Sequence, residues 1–218
     1  MRINKKAPMN IAVQLENNDK RVWLTLPAML YKFEDEIKRI DGDCTCFRIR
    51  EHLCRVPAMN RNMLSQEPLA VVNYLAYRLN KLSDDEIQNL CAICDSDYYF
   101  DRVGQYIDYT FQTYCYTLLP GVTDEEALGE HYVGNLKNYM ADKVLRQHID
   151  LREYGRRLAE AEKGAFTSIG YLTSSIGWNL PPKDRRIPDS LNLKGYLGED
   201  LFGEGTEPVV SAFGGIEI

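Results

Sequence analysis

Asn10-Ile11-Ala12-Val13-Gln14-Leu15 and Arg21-Val22-Trp23-Leu24-Thr25-Leu26, separated by Glu16-Asn17-Asn18-Asp19-Lys20, decide the fold class. Both runs are short and rich in Val, Leu, Ile and Trp, and the segment between them is made of turn formers, which reads as a β-hairpin. A helix follows, because Phe33, Ile37 and Ile40 fall at helical spacing and Asp41-Gly42 ends the run. Thr45 to Arg50 alternates as a third strand. Residues 1–57 therefore read as a small N-terminal ββαβ unit, the opening of an α+β chain.

Residues 58–119 read as a helical middle unit. Beyond Pro57 and Pro68, Val71, Val72, Leu75, Ala76 and Leu79 form the apolar stripe of one helix. Ser83 and Glu86 make a capping box ahead of Ile87, Leu90, Cys91 and Cys94. A third helix is expected from about Asp97 to Leu118, with Tyr99, Val103, Tyr106, Ile107, Thr110, Phe111 and Tyr114 turned inward. Pro120-Gly121 breaks it, and residues 120–176 read as a mixed α/β third unit. There Thr123 and Glu126 cap a short helix ended by Gly129, Leu136 to Ile149 is helical, and Ala165 to Leu172 is a strand. From Gly177 the seven glycines and four prolines, with few periodic apolar residues, predict an extended or partly disordered tail over 177–218.

With 218 residues, 44% of them hydrophobic, the chain can bury a core or divide into two or three small units. No apolar run approaches the roughly 20 residues of a membrane helix. The basic stretch Met1 to Asn10 lacks the apolar core and cleavage site of a signal peptide, so a cytoplasmic protein is expected, with its six cysteines as free thiols. A net charge of −6 argues against general binding to nucleic acid.

That average hides a partition. Between Leu82 and Leu136 stand eleven acids, Asp84, Asp85, Glu86, Asp95, Asp97, Asp101, Asp108, Asp124, Glu125, Glu126 and Glu130, against one base, Arg102. The segment carries −10, and the remaining 21 acids and 25 bases carry +4. Carboxylates about 6 Å apart repel by roughly 0.7 kcal/mol even in water. One purpose for such crowding is imitation of DNA, since a helix sets carboxylates about 5.4 Å apart along its axis and a basic DNA-binding cleft would accept them. The competing reading is local: Asp84, Asp85, Glu86, Asp124, Glu125 and Glu126 sit in first turns, where negative charge favours the helix dipole. It accounts for six of the eleven and not for the missing bases.

Other chemistry is weakly signalled. Cys91-Ala92-Ile93-Cys94 lies two turns past the Ser83 cap and on the apolar face, which suits packed thiols better than a redox pair. Cys44, Cys46 and Cys54 offer three thiols, so zinc would need a distant fourth ligand. Asp95, Asp97 and Asp101 lack the glycine and glutamate of a calcium loop, and His52, His131 and His148 are isolated. No catalytic residue, metal ligand or cofactor site is assigned, and a binding protein is expected rather than an enzyme. Tyrosines 98, 99, 106, 109, 114 and 116, with Phe100 and Phe111, form an aromatic band, mostly core and partly interface. Arg146, Arg152, Arg156 and Arg157 form a basic cluster that reads as a solvated face, a nucleic-acid site or a partner for the acidic segment.

Several stretches occur together in order: Asn10-Ile11-Ala12-Val13 through Val22-Trp23-Leu24-Thr25-Leu26-Pro27, then Cys94-Asp95-Ser96-Asp97-Tyr98-Tyr99, then Leu128-Gly129, Asn138-Tyr139 and Tyr154-Gly155-Arg156. Over about residues 10 to 172 this order resembles the ArdA family of antirestriction proteins, carried by conjugative and other mobile elements. The resemblance implies an elongated three-unit α+β homodimer whose carboxylates mimic bent B-form DNA and occupy the DNA site of type I restriction and modification enzymes. Carried over by position, the mimic residues are the eleven acids, with Asp124, Glu125, Glu126 and Glu130 in the segment linked to antirestriction. Members of that family are usually far more acidic, and the tail after Gly177 lies beyond the likeness. A mobile-element regulator, a protein-binding adaptor or an inhibitor of another DNA-binding defence complex fits the same chemistry.

Overall fold

The computed structural model describes residues 11–17, 20–40, 48–54, 56, 64, 67–135, 148–183 and 186–193. Among them are six helices and two small antiparallel sheets, a mixed α+β fold. The opening hairpin is β1 (Ile11–Asn17) paired with β2 (Lys20–Leu26), in a register running from Ile11 opposite Leu26 to Asn17 opposite Lys20. α1 (Leu30–Ile40) follows, and β3 (Arg48–Leu53) adds to the other side of β1, giving the order β2-β1-β3. Strand alternation sends Ile11, Val13, Leu15, Leu24, Leu26 and Ile49 to one buried face, where Phe33 of α1 joins the core. The third strand continues to Leu53, three residues past its expected end at Arg50. Residues 41–47, which include the expected helix stop, are outside the described residues.

α2 (Leu69–Leu79) is buried on nearly every side rather than along one stripe: Leu69, Ala70, Val72, Tyr74, Leu75, Ala76 and Leu79 all leave solvent. A helix this apolar becomes a core element. At its centre Asn73 is fully buried. Its Oδ1 accepts from the Ala28 backbone N–H at 2.8 Å, and its Nδ2 donates to the carbonyls of Ala28 and Leu191 at 2.9 Å each. One buried core cluster draws on residues from Ile11 to Leu193, and a second, smaller cluster gathers Val122, Leu128 and Tyr171.

α3 (Asp84–Asp95) starts at the expected Ser83–Glu86 capping box. The long helix expected over Asp97 to Leu118 is absent. In its place stand α4 (Val103–Tyr109), a 3-10 turn at Thr113–Cys115, and the strand β4 (Tyr116–Pro120). The Gln105 carboxamide oxygen accepts from the N–H groups of Asp101 and Arg102 and so fixes the late start. Thr110, Thr113, Tyr114, Tyr116 and Thr117 are poor helix formers that fit a pleated sheet better. α5 (Glu125–Asn135) and α6 (Leu151–Glu162) follow, then β5 (Ala165–Phe166) and β6 (Gly170–Ser174), in the order β4-β6-β5. The single strand expected over Ala165 to Leu172 is thus a hairpin, turned where the Thr167 hydroxyl and N–H both reach the Gly170 carbonyl. The helix expected over Leu136 to Ile149 falls almost wholly outside the described residues.

Residues 177–183 and 186–193 run without an α-helix or strand and pack on the rest of the chain. Trp178 stacks on Tyr98 with ring centroids 4.2 Å apart and donates its indole N–H to the Lys163 carbonyl. The Gln112 side chain holds the Pro181 carbonyl, the Asp108 carboxylate holds the Lys183 N–H, and Leu191 and Leu193 enter the core. Scattered apolar anchors carry no period, so the sequence shows no element there, yet each fills a place in the body.

Replacing Asn73 by Ala leaves one N–H and two carbonyls buried without partners. An Asn73→Ala chain is expected to lose roughly 3–5 kcal/mol of unfolding free energy, read from the midpoint of urea denaturation. Glu16 supplies a second expectation. The Arg48 guanidinium, with Arg50 and Arg21, outweighs its desolvation and holds its pKa down to about 2. Because the folded-state pKa is the lower one, its contribution is complete above about pH 4.5 and fades as pH falls toward 2. Acid titrations of the Glu16→Gln chain should lack this part of the native loss of stability in that window.

Candidate partner-binding surface

The acids of α3 begin at its first turn. Asp84 and Asp85 are exposed, whereas Glu86 is half-buried and used within the fold. Its Oε2 accepts from the Ser83 N–H at 2.7 Å, closing the capping box, and its Oε1 accepts from the Thr113 hydroxyl. Desolvation works against its charge, but the Thr113 and Ser83 hydrogen bonds win and hold its pKa below the ordinary value. At the other end Asp95 is exposed and accepts the Ser168 N–H at 2.7 Å, an interaction that offsets an acid at a helix C-terminus. Asp97 and Asp101 are exposed on the loop between α3 and α4, with Arg102 3.9 Å from Asp101.

Asp108 departs from the expected set. It is 2% exposed, and its carboxylate accepts the Lys183 backbone N–H at 3.1 Å. It is a structural acid that anchors the tail, not a surface carboxylate. The sequence signal that could have told it apart is its place between Ile107 and Tyr109, on the buried side of α4.

The start of α5 also differs in detail. Asp124, not Thr123, caps it, accepting the Ala127 N–H at 2.8 Å. Gly129 does not end the helix, which continues to Asn135. Gly129 and Gly155 instead let α5 and α6 meet backbone to backbone: a Cβ at Gly129 would lie 2.0 Å from the Leu151 carbonyl oxygen, and one at Gly155 1.8 Å from that of Glu125. This close crossing puts Arg152 3.2 Å from Glu125, so one base of the Arg cluster does pair with the acidic segment. Arg156 and Arg157 are taken by Glu153 and Glu160 of their own helix, which depresses the Glu153 pKa to about 2. Arg146 lies outside the described residues. Asp124, Glu126 and Glu130 remain exposed.

Two hydrogen bonds bring separated acids together. Asp95 holds Ser168, and the next residue, Ile169, accepts the Gly121 N–H at 3.0 Å, three residues before Asp124. The acids at the end of α3 and those at the start of α5 therefore gather at one end of the second sheet. Asp84, Asp85 and Glu86 stand apart, near Thr113 at the other end of α3. A helix of 12 residues separates the two groups by roughly 17 Å.

Cys115 is buried, and Cys54, Cys91 and Cys94 pack against the core, with the Cys94 sulfur 3.6 Å from the Tyr106 hydroxyl. Cys44 and Cys46 are outside the described residues, and among those described no three His, Cys, Asp or Glu side chains could hold a metal ion together. No helix among them is long and apolar enough to cross a membrane.

The glycine crossing that places the α5 acids is directly testable. Gly155→Ala should cost roughly 1–3 kcal/mol by overpacking. Gly134→Ala, in open space on α5, should stabilise by roughly 0.5–1 kcal/mol. Thermal melts followed by circular dichroism compare the two. No protein-family model and no curated protein matches this sequence.

Proposed function

We propose that this chain is a DNA mimic of the ArdA kind, an antirestriction protein that places surface carboxylates in the DNA-binding site of a type I restriction and modification enzyme. Exposed carboxylates without counter-ions carry the reading: Asp84, Asp85, Asp97, Asp124, Glu126 and Glu130 are exposed and form no ion pair with another described residue. Gathering like charges costs stability, and a cationic cleft would supply opposite charge. The elongated three-unit dimer implied by the resemblance belongs to the same proposal, as does the carboxylate at Asp95, which keeps its exposure while holding Ser168. Asp108 and Glu86 are left out of the contact set because the fold uses them.

Competition with DNA for a purified type I methyltransferase tests the proposal. Displacement should weaken steeply between about 50 and 200 mM salt. Replacing Asp124, Glu125, Glu126 and Glu130 by their amides should weaken it at least tenfold, and the Asp124→Asn change keeps a side-chain oxygen able to cap α5. Salt-insensitive displacement, or full potency of the amide variant, would overturn it. An adaptor acting through its tail is the second reading, and truncation separates the two only if it begins after Leu193. Removing residues 194–218 should leave displacement intact for a mimic, whereas a cut at Gly177 would strip Leu191 and Leu193 from the core.

A further inference from the structure

The outward face of the first sheet carries a regular grid. β1 is central, so three rows cross the strands: Arg21, Glu16 and Arg48; Trp23, Gln14 and Glu51; Thr25, Ala12 and Leu53. Val13 and Leu15 point into the core, which turns their neighbours Ala12, Gln14 and Glu16 to the opposite side. A register shift between Gln14 and Leu15 brings Arg50 to the same place, with its Nη1 3.0 Å from both Glu16 oxygens. Arg21 and Arg48 donate from Nε to Glu16 at 2.9 Å each.

The charges are layered. Glu16 is 6% exposed and lies beneath, while the side chains of Arg21, Arg48 and Arg50 are 48%, 69% and 43% exposed. A guanidinium has five donors, and one shared carboxylate cannot occupy fifteen, so the cluster presents fixed, outward N–H groups. With Glu16 and Glu51 counted, the face is formally +1 in a chain of −6, and none of the eleven acids lies in its rows. Trp23 is 44% exposed and Leu53 63% exposed. Beside Trp23 in its row, the Gln14 Oε1 is buried with no hydrogen-bond partner.

We propose that this face binds single-stranded nucleic acid, with a base stacked on Trp23 and phosphates on Arg21, Arg48 and Arg50. Planar guanidinium groups match phosphate oxygens bidentately, and an exposed indole offers every base a stacking surface. The Trp23 and Arg21 rows are about 7 Å apart along the strand, within the reach of one nucleotide. Three strands at about 4.8 Å spacing, with side chains, exceed the roughly 12 Å major groove, which selects a single strand over a duplex. Stacking and phosphate contact do not depend on the sugar, so DNA and RNA strands both bind.

Fluorescence anisotropy of the full chain with labelled 12-nucleotide DNA and RNA single strands, and with the matching duplex, at about 50 mM salt tests this. Both single strands should bind more tightly than the duplex. Trp23→Ala should weaken them about tenfold, and Arg48→Gln, which leaves Arg21 and Arg50 on Glu16, should weaken them and lower the salt slope by about one. Circular dichroism melts confirm that both variants are folded, as expected for changes at exposed side chains. Absence of single-strand binding, equal affinity for the duplex, an unchanged affinity in folded Trp23→Ala, or preference for a poly-glutamate peptide over the strands would each overturn the assignment.

Discussion

Asn73 is the interaction on which the rest of the structure depends. One carboxamide, buried within α2, satisfies both backbone groups of Ala28 and the carbonyl of Leu191. It therefore ties the turn between β2 and α1, the central helix and the returning tail into one core. A buried amide of this kind acts as a register pin: apolar packing tolerates small slides, whereas three directional bonds do not. The loop that carries Asp97 and Asp101 meets the same returning segment where Trp178 stacks on Tyr98.

Around that pin the charges divide by use. Asp108 and Glu86 are consumed by the fold, Glu125 is paired with Arg152, and the acids at the two ends of α3 and the start of α5 face solvent. The first sheet shows the reverse design, three arginines over one buried glutamate. A net charge of −6 describes neither surface, because like charges are gathered on separate elements. Field strength at a partner's surface follows such local grouping within a Debye length of about 8–10 Å, not the total.

Local signals in the sequence located the hairpin, α2, α3 and the Ser83–Glu86 box, because strand alternation and a reciprocal cap are properties of a few adjacent residues. They failed between Asp97 and Leu118, where Thr and Tyr at helical spacing also satisfy a strand, and the pairing of β4 with β6 decided between them. They failed again at Gly129, since a glycine that stops a helix and one that admits a neighbouring backbone are the same residue.

The sequence by itself determined the α+β class of the chain, the partition of its charge and the Ser83–Glu86 cap of α3, all of which are set by near neighbours. Only the tertiary structure decided which acids face solvent, that Asp95 and the α5 acids share one end of a sheet, and that Trp178 to Leu193 belongs to the body. Those outcomes turn on contacts between residues far apart in the chain, and neither period nor composition encodes which distant partner desolvates a carboxylate.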